Sequence, residues 1–150
     1  MADHAVHMTR TLNAPRDLAF RAWTDPAMVK EWWGPKYFTN PVCEVDARPG
    51  GAIRIVMRGP DGTDYPMAGR FDELSPPDRL TFTSWVDVNG ERVLEVQTTV
   101  TFEDKDGKTL LTMWGVVQKA TEAAKPMLAG MEQGWSGSLD KLVQFIDGQA

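Results

Sequence analysis

Residues 121–146 read TEAAKPMLAGMEQGWSGSLDKLVQFI, and this stretch decides the fold. Its apolar residues recur at the spacing of an amphipathic helix with a wide apolar stripe. Charged, amide and hydroxyl side chains occupy the opposite side. The stretch therefore predicts a long C-terminal helix, whose apolar side consists of Ala120, Ala123, Ala124, Met127, Leu128, Met131, Trp135, Leu139, Leu142, Phe145 and Ile146.

Three glycines interrupt this predicted helix: Gly130, Gly134 and Gly137. A glycine inside a helix costs about 1 kcal/mol relative to alanine, so each of them calls for a physical reason. Either a sheet approaches the helix closely, or the helix leaves room for a bound guest. Ser138 also places a hydroxyl near the middle of the apolar side. Both explanations stay open on the sequence alone.

The composition is that of an ordinary globular protein. A chain of 150 residues is most simply one domain, residues 1–150. Its 42 % apolar and 25 % charged residues are usual for the class. The net charge of −5 argues against a nucleic acid partner, because phosphate binding needs a basic face. No apolar run approaches the length of a bilayer, so membrane insertion is not expected.

The N-terminus and the cysteine content predict a cytoplasmic location. The first residues, MADH, contain no basic region followed by an apolar stretch, so they do not resemble a secretory signal. Cys43 is the single cysteine of the sequence and cannot form an internal disulfide. Chains without disulfides are usual in the reducing cytoplasm.

Turn residues divide the N-terminal part into a strand and two short helices. Residues 6–12 form the first predicted strand. Pro15 is well placed as the first residue of a helix that ends at Thr24. Asp25 can cap a second helix, with Pro26 at its first position, and Gly34-Pro35 ends that helix.

Alternating apolar and polar residues between tight turns predict six more strands, which together form an antiparallel meander. Only the long helix is large enough to cover one face of that sheet. We therefore predict an α+β fold, in which a curved antiparallel sheet of about seven strands wraps around the C-terminal helix. The six further strands are expected at residues 42–47, 53–58, 65–74, 80–86, 94–102 and 110–117.

These motifs, in this order, resemble a known family. Residues 20–26 (FRAWTDP) and 32–35 (WWGP) are similar to the opening motif of the activator of heat-shock-protein ATPase homologue-like family, within the START-like (SRPBCC) superfamily. Residues 48–51 fit its glycine turn, residues 69–80 its middle strands, and Gly134-Trp135 its closing helix. The resemblance covers nearly the whole chain. It implies a helix-grip fold with an apolar cavity under the long helix, and it implies no shared catalytic residue.

The sequence contains no evident catalytic or metal-binding constellation. His4 and His7 would lie on opposite faces of a strand, so a shared metal ion is not expected. Residues 48–51 open no helix and so form no phosphate loop. Residues 134–137 (GWSG) lie inside the predicted helix and are not a nucleophile elbow. Cys43 is best interpreted as a small buried hydrophobe. We therefore predict neither a metal ion nor a cofactor.

Glu73 is a weak candidate for a catalytic residue. A carboxyl group in an apolar cavity has a raised pKa and can act as an acid or a base. Glu73 shares strand parity with Met67 and Phe71, so it could point inward. The alternative is an exposed position at a strand end near Pro76-Pro77.

The six tryptophans and eight methionines favour a binding cavity. Cores usually use Leu, Ile and Val, which have defined rotamers, whereas Met adapts to irregular shapes. Ligand pockets are mostly apolar with few polar anchors. The facing of Met113 and Trp114 on the last strand stays open. The predicted ligand-binding residues are Trp33, Ile55, Met57, Met67, Phe71, Phe82, Val100, Met127, Met131, Trp135 and Ser138.

Three functions follow from these patterns. The one we favour is non-catalytic binding of a small hydrophobic molecule between the sheet and the long helix. The second is a protein-interaction module that activates an ATPase and has a chaperone-type protein partner, as the family resemblance implies. The third is a cyclase- or hydrolase-type enzyme acting on a hydrophobic substrate, with Glu73 as its base. A homodimer is a further alternative, because contact between two copies would cover the exposed edge strands of the sheet.

Overall fold

The computed structural model describes residues 4–149, which form one sheet and three α-helices. The seven strands are antiparallel and follow the order β1-β7-β6-β5-β4-β3-β2. The elements are β1 (His4–Leu12), α1 (Arg16–Thr24), α2 (Pro26–Trp32), β2 (Thr39–Val45), β3 (Ala52–Arg58), β4 (Asp64–Ser75), β5 (Arg79–Val88), β6 (Glu91–Lys105), β7 (Lys108–Ala120) and α3 (Lys125–Gln149).

The predicted α+β architecture is confirmed. The sheet curls into a half-barrel, the two short helices follow the first strand, and the long helix closes the chain. Every predicted strand is present, because turn residues and alternation are local signals that tertiary contacts do not override here. No helix in the described part of the chain combines the length and the apolar character needed to cross a membrane.

The α1–α2 corner forms as its capping residues predict. The carboxylate of Asp25 accepts a hydrogen bond of 2.9 Å from the backbone N–H of Ala27, and Pro26 holds the first helical position. Pro15 differs from its prediction by one position: it is the extended residue before α1, which begins at Arg16. This corner brings α1 and α2 together over the concave face of the sheet.

The start of the long helix is a correction to the prediction. The strand β7 continues to Ala120, and a single 3₁₀ turn at Glu122–Ala124 precedes α3. The proline ring of Pro126 explains the difference, because within a helix it would clash with the carbonyl of residue 122. Proline is tolerated in the first turn, so the α-helix begins at Lys125. Ala120 and Ala123, predicted on the apolar side of the helix, lie outside α3 and are exposed.

The main core fills the space between the concave face of the sheet, α1, α2 and the second half of α3. Leu139, Leu142 and Ile146 of α3 are fully buried there. Met113 on β7 is also fully buried, whereas its neighbour Trp114 is half-buried on the other face of the strand. The question that the sequence left open at these two positions is thereby answered.

Candidate functional site

The two halves of α3 pack differently against the rest of the molecule. In the second half, Leu139, Leu142 and Ile146 have no solvent-exposed surface. From Lys125 to Gly137 no side chain is fully buried, although the apolar stripe continues. The large apolar side chains of this first half, Met127, Leu128, Met131 and Trp135, are only partly buried. The helix is therefore anchored at its C-terminal half and loosely seated at its N-terminal half.

An aromatic cluster lies beneath the middle of α3. The indole ring of Trp135 stacks on that of Trp23, with the centroids 6.0 Å apart and the planes inclined by 17°. Trp135 also meets Trp33 edge-on at a centroid distance of 5.1 Å. Trp32 packs against Trp23 at 4.6 Å, and Phe82 lies 6.2 Å from Trp33. Residues from α1, α2, β5 and α3 thus meet at one place.

This cluster borders a small cavity of about 10 Å³. That volume is close to the minimum that accommodates one water molecule. The cavity lies between the α1–α2 corner and the β2–β5 side of the sheet, and its lining side chains are apolar apart from the indole N–H groups of two tryptophans. The lining residues are Trp23, Val29, Trp33, Val45, Ile53, Ile55, Phe71 and Phe82.

The structure brings some of the predicted ligand-binding residues to this cavity. Trp33, Ile55, Phe71 and Phe82 line it, and Trp135 contacts the rings of Trp23 and Trp33 at its border. These residues come from the loop after α2 and from β3, β4, β5 and α3, so their meeting depends on the curvature of the sheet.

The other predicted residues lie elsewhere. Val100 is fully buried in the main core, and Met67 is half-buried against it. Met127 packs on a separate cluster around Val93, Leu94 and Val96, and Met131 contacts both clusters. Ser138 is buried at 5 % exposure. Met57 is half-buried, with its sulfur close to Gly34.

Four lining residues were not among those predicted: Trp23, Val29, Val45 and Ile53. Ile53 has the same strand parity as Ile55, so the alternation that selected one residue could have found the other. Trp23 and Val29 lie on the apolar faces of α1 and α2. Their positions at the cavity depend on how the two helices cross the sheet. Local sequence patterns contain no information about that crossing.

The loop between α2 and β2 lies next to two of the helix glycines, at distances where a Cβ atom would make ordinary van der Waals contact. A Cβ atom on Gly137 would lie 3.5 Å from the Cα of Pro35, and one on Gly134 would lie 3.9 Å from its Cγ. The element that approaches the helix is therefore this loop and not the sheet. A Cβ atom on Gly130 would meet nothing within 4 Å, so this glycine faces open space.

Lys141 ties the same loop to α3. Its Nζ atom lies 3.3 Å from the carbonyl oxygen of Phe38, 3.4 Å from that of Pro35 and 3.5 Å from that of Trp33. These carbonyl groups belong to residues that follow α2, and the ammonium supplies hydrogen-bond donors to them. Partial burial lowers the pKa of Lys141 below its usual value of 10.5. This contact holds the cavity-lining Trp33 against the well-anchored half of α3.

Glu73 lies away from the cavity. A β-bulge between Phe71 and Glu73 in the β4–β5 pairing reverses the parity on which an inward position depended. The carboxylate is exposed, 3.4 Å from the guanidinium of Arg79, and it accepts a hydrogen bond of 2.9 Å from the Ser75 hydroxyl. Glu73 therefore contributes no acid or base to the apolar walls.

The remaining candidates give no reactive centre. Desolvation raises the pKa of Cys43 to about 11, against a smaller opposing effect of Lys30, so little of its half-buried thiol is ionised near neutral pH. Within residues 4–149, no group of three His, Cys, Asp or Glu residues is placed to hold a metal ion. The side chain of His4 lies outside the described part, so its relation to His7 stays a prediction.

An open groove between β1 and α3 was not foreseen. It has a volume of about 590 Å³, and its lining includes Met8, Arg10, Glu132 and Gln133. Arg10 donates hydrogen bonds to the Ser136 hydroxyl at 3.0 Å and to the Asp140 carboxylate at 3.2 Å. The groove is polar and faces solvent, so it is a poorer site for an apolar molecule than the aromatic cluster.

Comparison with known proteins identifies relatives of this architecture. The model of a family described as "Activator of Hsp90 ATPase homolog 1-like protein" matches residues 13–147. A crystal structure from Chromobacterium violaceum is similar at 27 % identity and a TM-score of 0.80, covering 94 % of this chain and 96 % of that chain. One from Nitrosomonas europaea is similar at 25 % identity and a TM-score of 0.80, covering 98 % and 97 %.

A more distant crystal structure, of the AHSA1 protein from Silicibacter pomeroyi, is 22 % identical and shows the fold alone. It has a TM-score of 0.81 and covers 97 % of this chain and 99 % of that chain. No curated protein matches the chain by sequence. The shared fold supports a ligand-binding or interaction module in general.

Proposed function

The chain belongs to the activator of Hsp90 ATPase homolog 1-like family, and from this premise we propose that it binds a small hydrophobic molecule without catalysing a reaction. The proposed site is the aromatic cluster with its small cavity, between the curved sheet and the α1–α2 corner, with Trp135 of α3 at its border. It is closed in this structure, where the cavity measures about 10 Å³. Binding therefore requires part of the molecule to move.

The loose seating of the first half of α3 is the observation that carries this proposal. Lifting that half exposes side chains that are already partly in water, so it removes less buried apolar surface than lifting the second half would. Regions with few buried contacts open at a lower free-energy cost than the rest of a fold. Met131, which contacts the main core, can then repack around a guest, because unbranched thioether side chains adapt to irregular shapes.

Trp135 is the side chain that a ligand would displace. It covers the aromatic rings of Trp23 and Trp33 and is itself only partly buried. A flat apolar molecule in its place would form the same kind of ring contacts. The cavity walls carry no charged side chain, and burying an unpaired charge is costly, so the ligand is uncharged.

A binding titration tests this proposal. N-phenyl-1-naphthylamine, an uncharged fluorophore, is added to the full chain, and energy transfer from tryptophan and native mass spectrometry report the complex. The Trp135→Ala variant removes the covering ring and should bind the probe about tenfold more tightly, because less of the protein is held in the closed state. The matched control is Trp114→Ala, which removes an indole from the other face of β7.

The control variant should bind the probe as the unaltered chain does. Absence of binding to both the unaltered chain and the Trp135→Ala variant, with both folded, would show that the proposal is wrong. An equal gain in the Trp114→Ala variant would show instead that the probe binds outside the cluster.

The other predicted functions have weaker support. A chaperone-type protein partner agrees with the family, but no particular surface of the described residues favours it. The cyclase- or hydrolase-type enzyme loses its candidate base, since Glu73 is exposed beside Arg79. The homodimer and the cytoplasmic location stay predictions.

A further inference from the structure

The indole N–H of Trp23 is buried without a hydrogen-bond acceptor among the residues that the structure describes. The whole side chain is only 4 % exposed. Its neighbour Trp32 is different, because its Nε1 donates a hydrogen bond of 2.9 Å to the carbonyl oxygen of Ala22. Buried polar groups nearly always have a partner, and leaving one unpaired costs free energy. The unpaired donor of Trp23 therefore needs an explanation.

Trp23 is one of the residues that line the cavity, so a molecule bound there lies beside its indole ring. An indole has a donor and no acceptor for conventional hydrogen bonds, so Trp33 cannot pair with it. The other lining side chains, from Val29 to Phe82, are hydrocarbons. No side chain of the wall can accept this proton, so an acceptor would have to be brought into the cavity from outside.

A single buried water molecule is a poor candidate for that acceptor. The cavity of about 10 Å³ is at the lower limit for one water. A buried water usually makes two to four hydrogen bonds, and the side chains of this wall offer the Trp23 N–H and no acceptor. The same geometry suits an acceptor atom carried by a larger apolar molecule, which gains its binding energy from the surrounding rings.

We propose that the ligand is a flat, uncharged carbonyl compound whose oxygen accepts the hydrogen bond of Trp23 Nε1. This inference rests on the proposed function and adds the chemical class of the guest. The ring system of the molecule occupies the space that Trp135 leaves beside Trp23 and Trp33, and its carbonyl oxygen lies at the N–H edge of the Trp23 indole, in the plane of that ring. A carboxylate is disfavoured, because the apolar wall holds no cation to offset its desolvation.

A matched pair of probes separates the carbonyl from the ring system. 9-Fluorenone and fluorene have the same flat carbon framework, and only the first carries an oxygen acceptor. Both are titrated into the full chain and into the Trp23→Phe variant, which keeps an aromatic ring and loses the N–H. For each protein, the dissociation constant of fluorenone is divided by that of fluorene. A change in packing caused by the substitution affects both probes alike, so most of it cancels in this ratio.

The preference for fluorenone over fluorene is expected to be about tenfold greater in the unaltered chain than in Trp23→Phe, because only the unaltered chain can donate the hydrogen bond. In ¹⁵N-labelled protein, the indole N–H resonance of Trp23 should move downfield with fluorenone and much less with fluorene. This second readout uses the unaltered chain, so it decides the question even where Trp23→Phe does not fold. Trp114→Phe is the control variant and should leave the ratio unchanged.

Each other outcome has a distinct meaning. In the first, both probes bind with the same ratio in the two proteins while fluorenone leaves the Trp23 resonance unmoved. That result would overturn the hydrogen bond and would still support the binding function. Failure of both probes to bind contradicts the proposed function itself. A long-lived water that shows a nuclear Overhauser effect to the Trp23 indole proton in the free protein would overturn the inference, because the donor would already be satisfied.

Discussion

The indole ring of Trp23, which lines the cavity, stacks on that of Trp135, with centroids 6.0 Å apart and planes inclined by 17°. One ring belongs to α1, near the N-terminus, and the other to α3, near the C-terminus. The contact therefore closes the molecule over its aromatic cluster. Because Trp135 is partly exposed, this closure rests on a side chain that can leave at moderate cost.

The first prediction compares Trp135 with Trp32. Replacing fully buried Trp32 by alanine should lower the free energy of unfolding by about 3–5 kcal/mol, since it leaves a cavity and frees the carbonyl of Ala22. Trp135→Ala should cost about 1–2 kcal/mol, because part of that ring already contacts water. Urea denaturation measures both. A Trp135→Ala cost equal to that of Trp32→Ala would contradict the loose closure.

The second prediction compares two leucines of α3. Leu142→Ala in the anchored half should cost about 2–5 kcal/mol, as for other buried leucines. Leu128→Ala in the loosely seated half should cost less than about 1.5 kcal/mol, because Leu128 is only partly buried. The two variants make the same chemical change in one helix, so helix propensity cancels. Equal midpoints in a urea series would show that both halves are equally well packed.

The third prediction concerns the helix glycines. Gly137→Leu should lower the free energy of unfolding by about 1–3 kcal/mol, because its Cβ already reaches contact at 3.5 Å from Pro35 and further atoms must displace the loop. Gly130→Leu faces open space and should raise it by about 0.5 kcal/mol through helix propensity. Thermal unfolding of the pair decides: a loss of stability at both positions would mean that α3 packs closely along its whole length.

The fourth prediction concerns pH and Lys141. Burial lowers the pKa of Lys141 in the folded protein, so the folded state releases this proton at a lower pH than the unfolded state. In the pH window just below 10.5, the unfolded state then binds more protons than the folded state. The contribution of Lys141 to the free energy of unfolding therefore rises with pH in that window. Denaturation of the unaltered chain and of Lys141→Met across that window measures the effect.

The Lys141→Met variant should lack this rise. Parallel curves for the two proteins would show that the ammonium is as well solvated in the fold as in the open chain.

The fifth prediction concerns Glu73. The carboxylate is exposed beside Arg79, and exposed ion pairs contribute little to stability. Glu73→Gln should therefore change the free energy of unfolding by less than about 0.5 kcal/mol and leave probe binding unaltered. Probe titration and urea denaturation check both expectations. A loss of binding would place this side chain at the site despite the bulge that turns it outward.

Local patterns predicted the elements well and their positions in the site less well. Asp25 and Pro26 set the start of α2 because capping acts within one helical turn. The start of α3 was wrong by four residues, because residues 122–124 form a separate 3₁₀ turn and the proline at position 126 belongs in the first turn of the helix. The parity of Glu73 also failed, because a β-bulge has no clear signal in the sequence.

The sequence by itself determined the α+β class, the seven strands and the amphipathic C-terminal helix, because alternation, helical period and turn residues are properties of neighbouring residues. Only the tertiary structure decided which apolar residues meet. It placed Trp23 beside Trp135 and Ile53 at the cavity wall, and it brought the Pro35 loop, instead of the sheet, against the helix glycines. These contacts join distant parts of the chain through the curvature of the sheet and the crossing of the helices, and no local pattern contains that information.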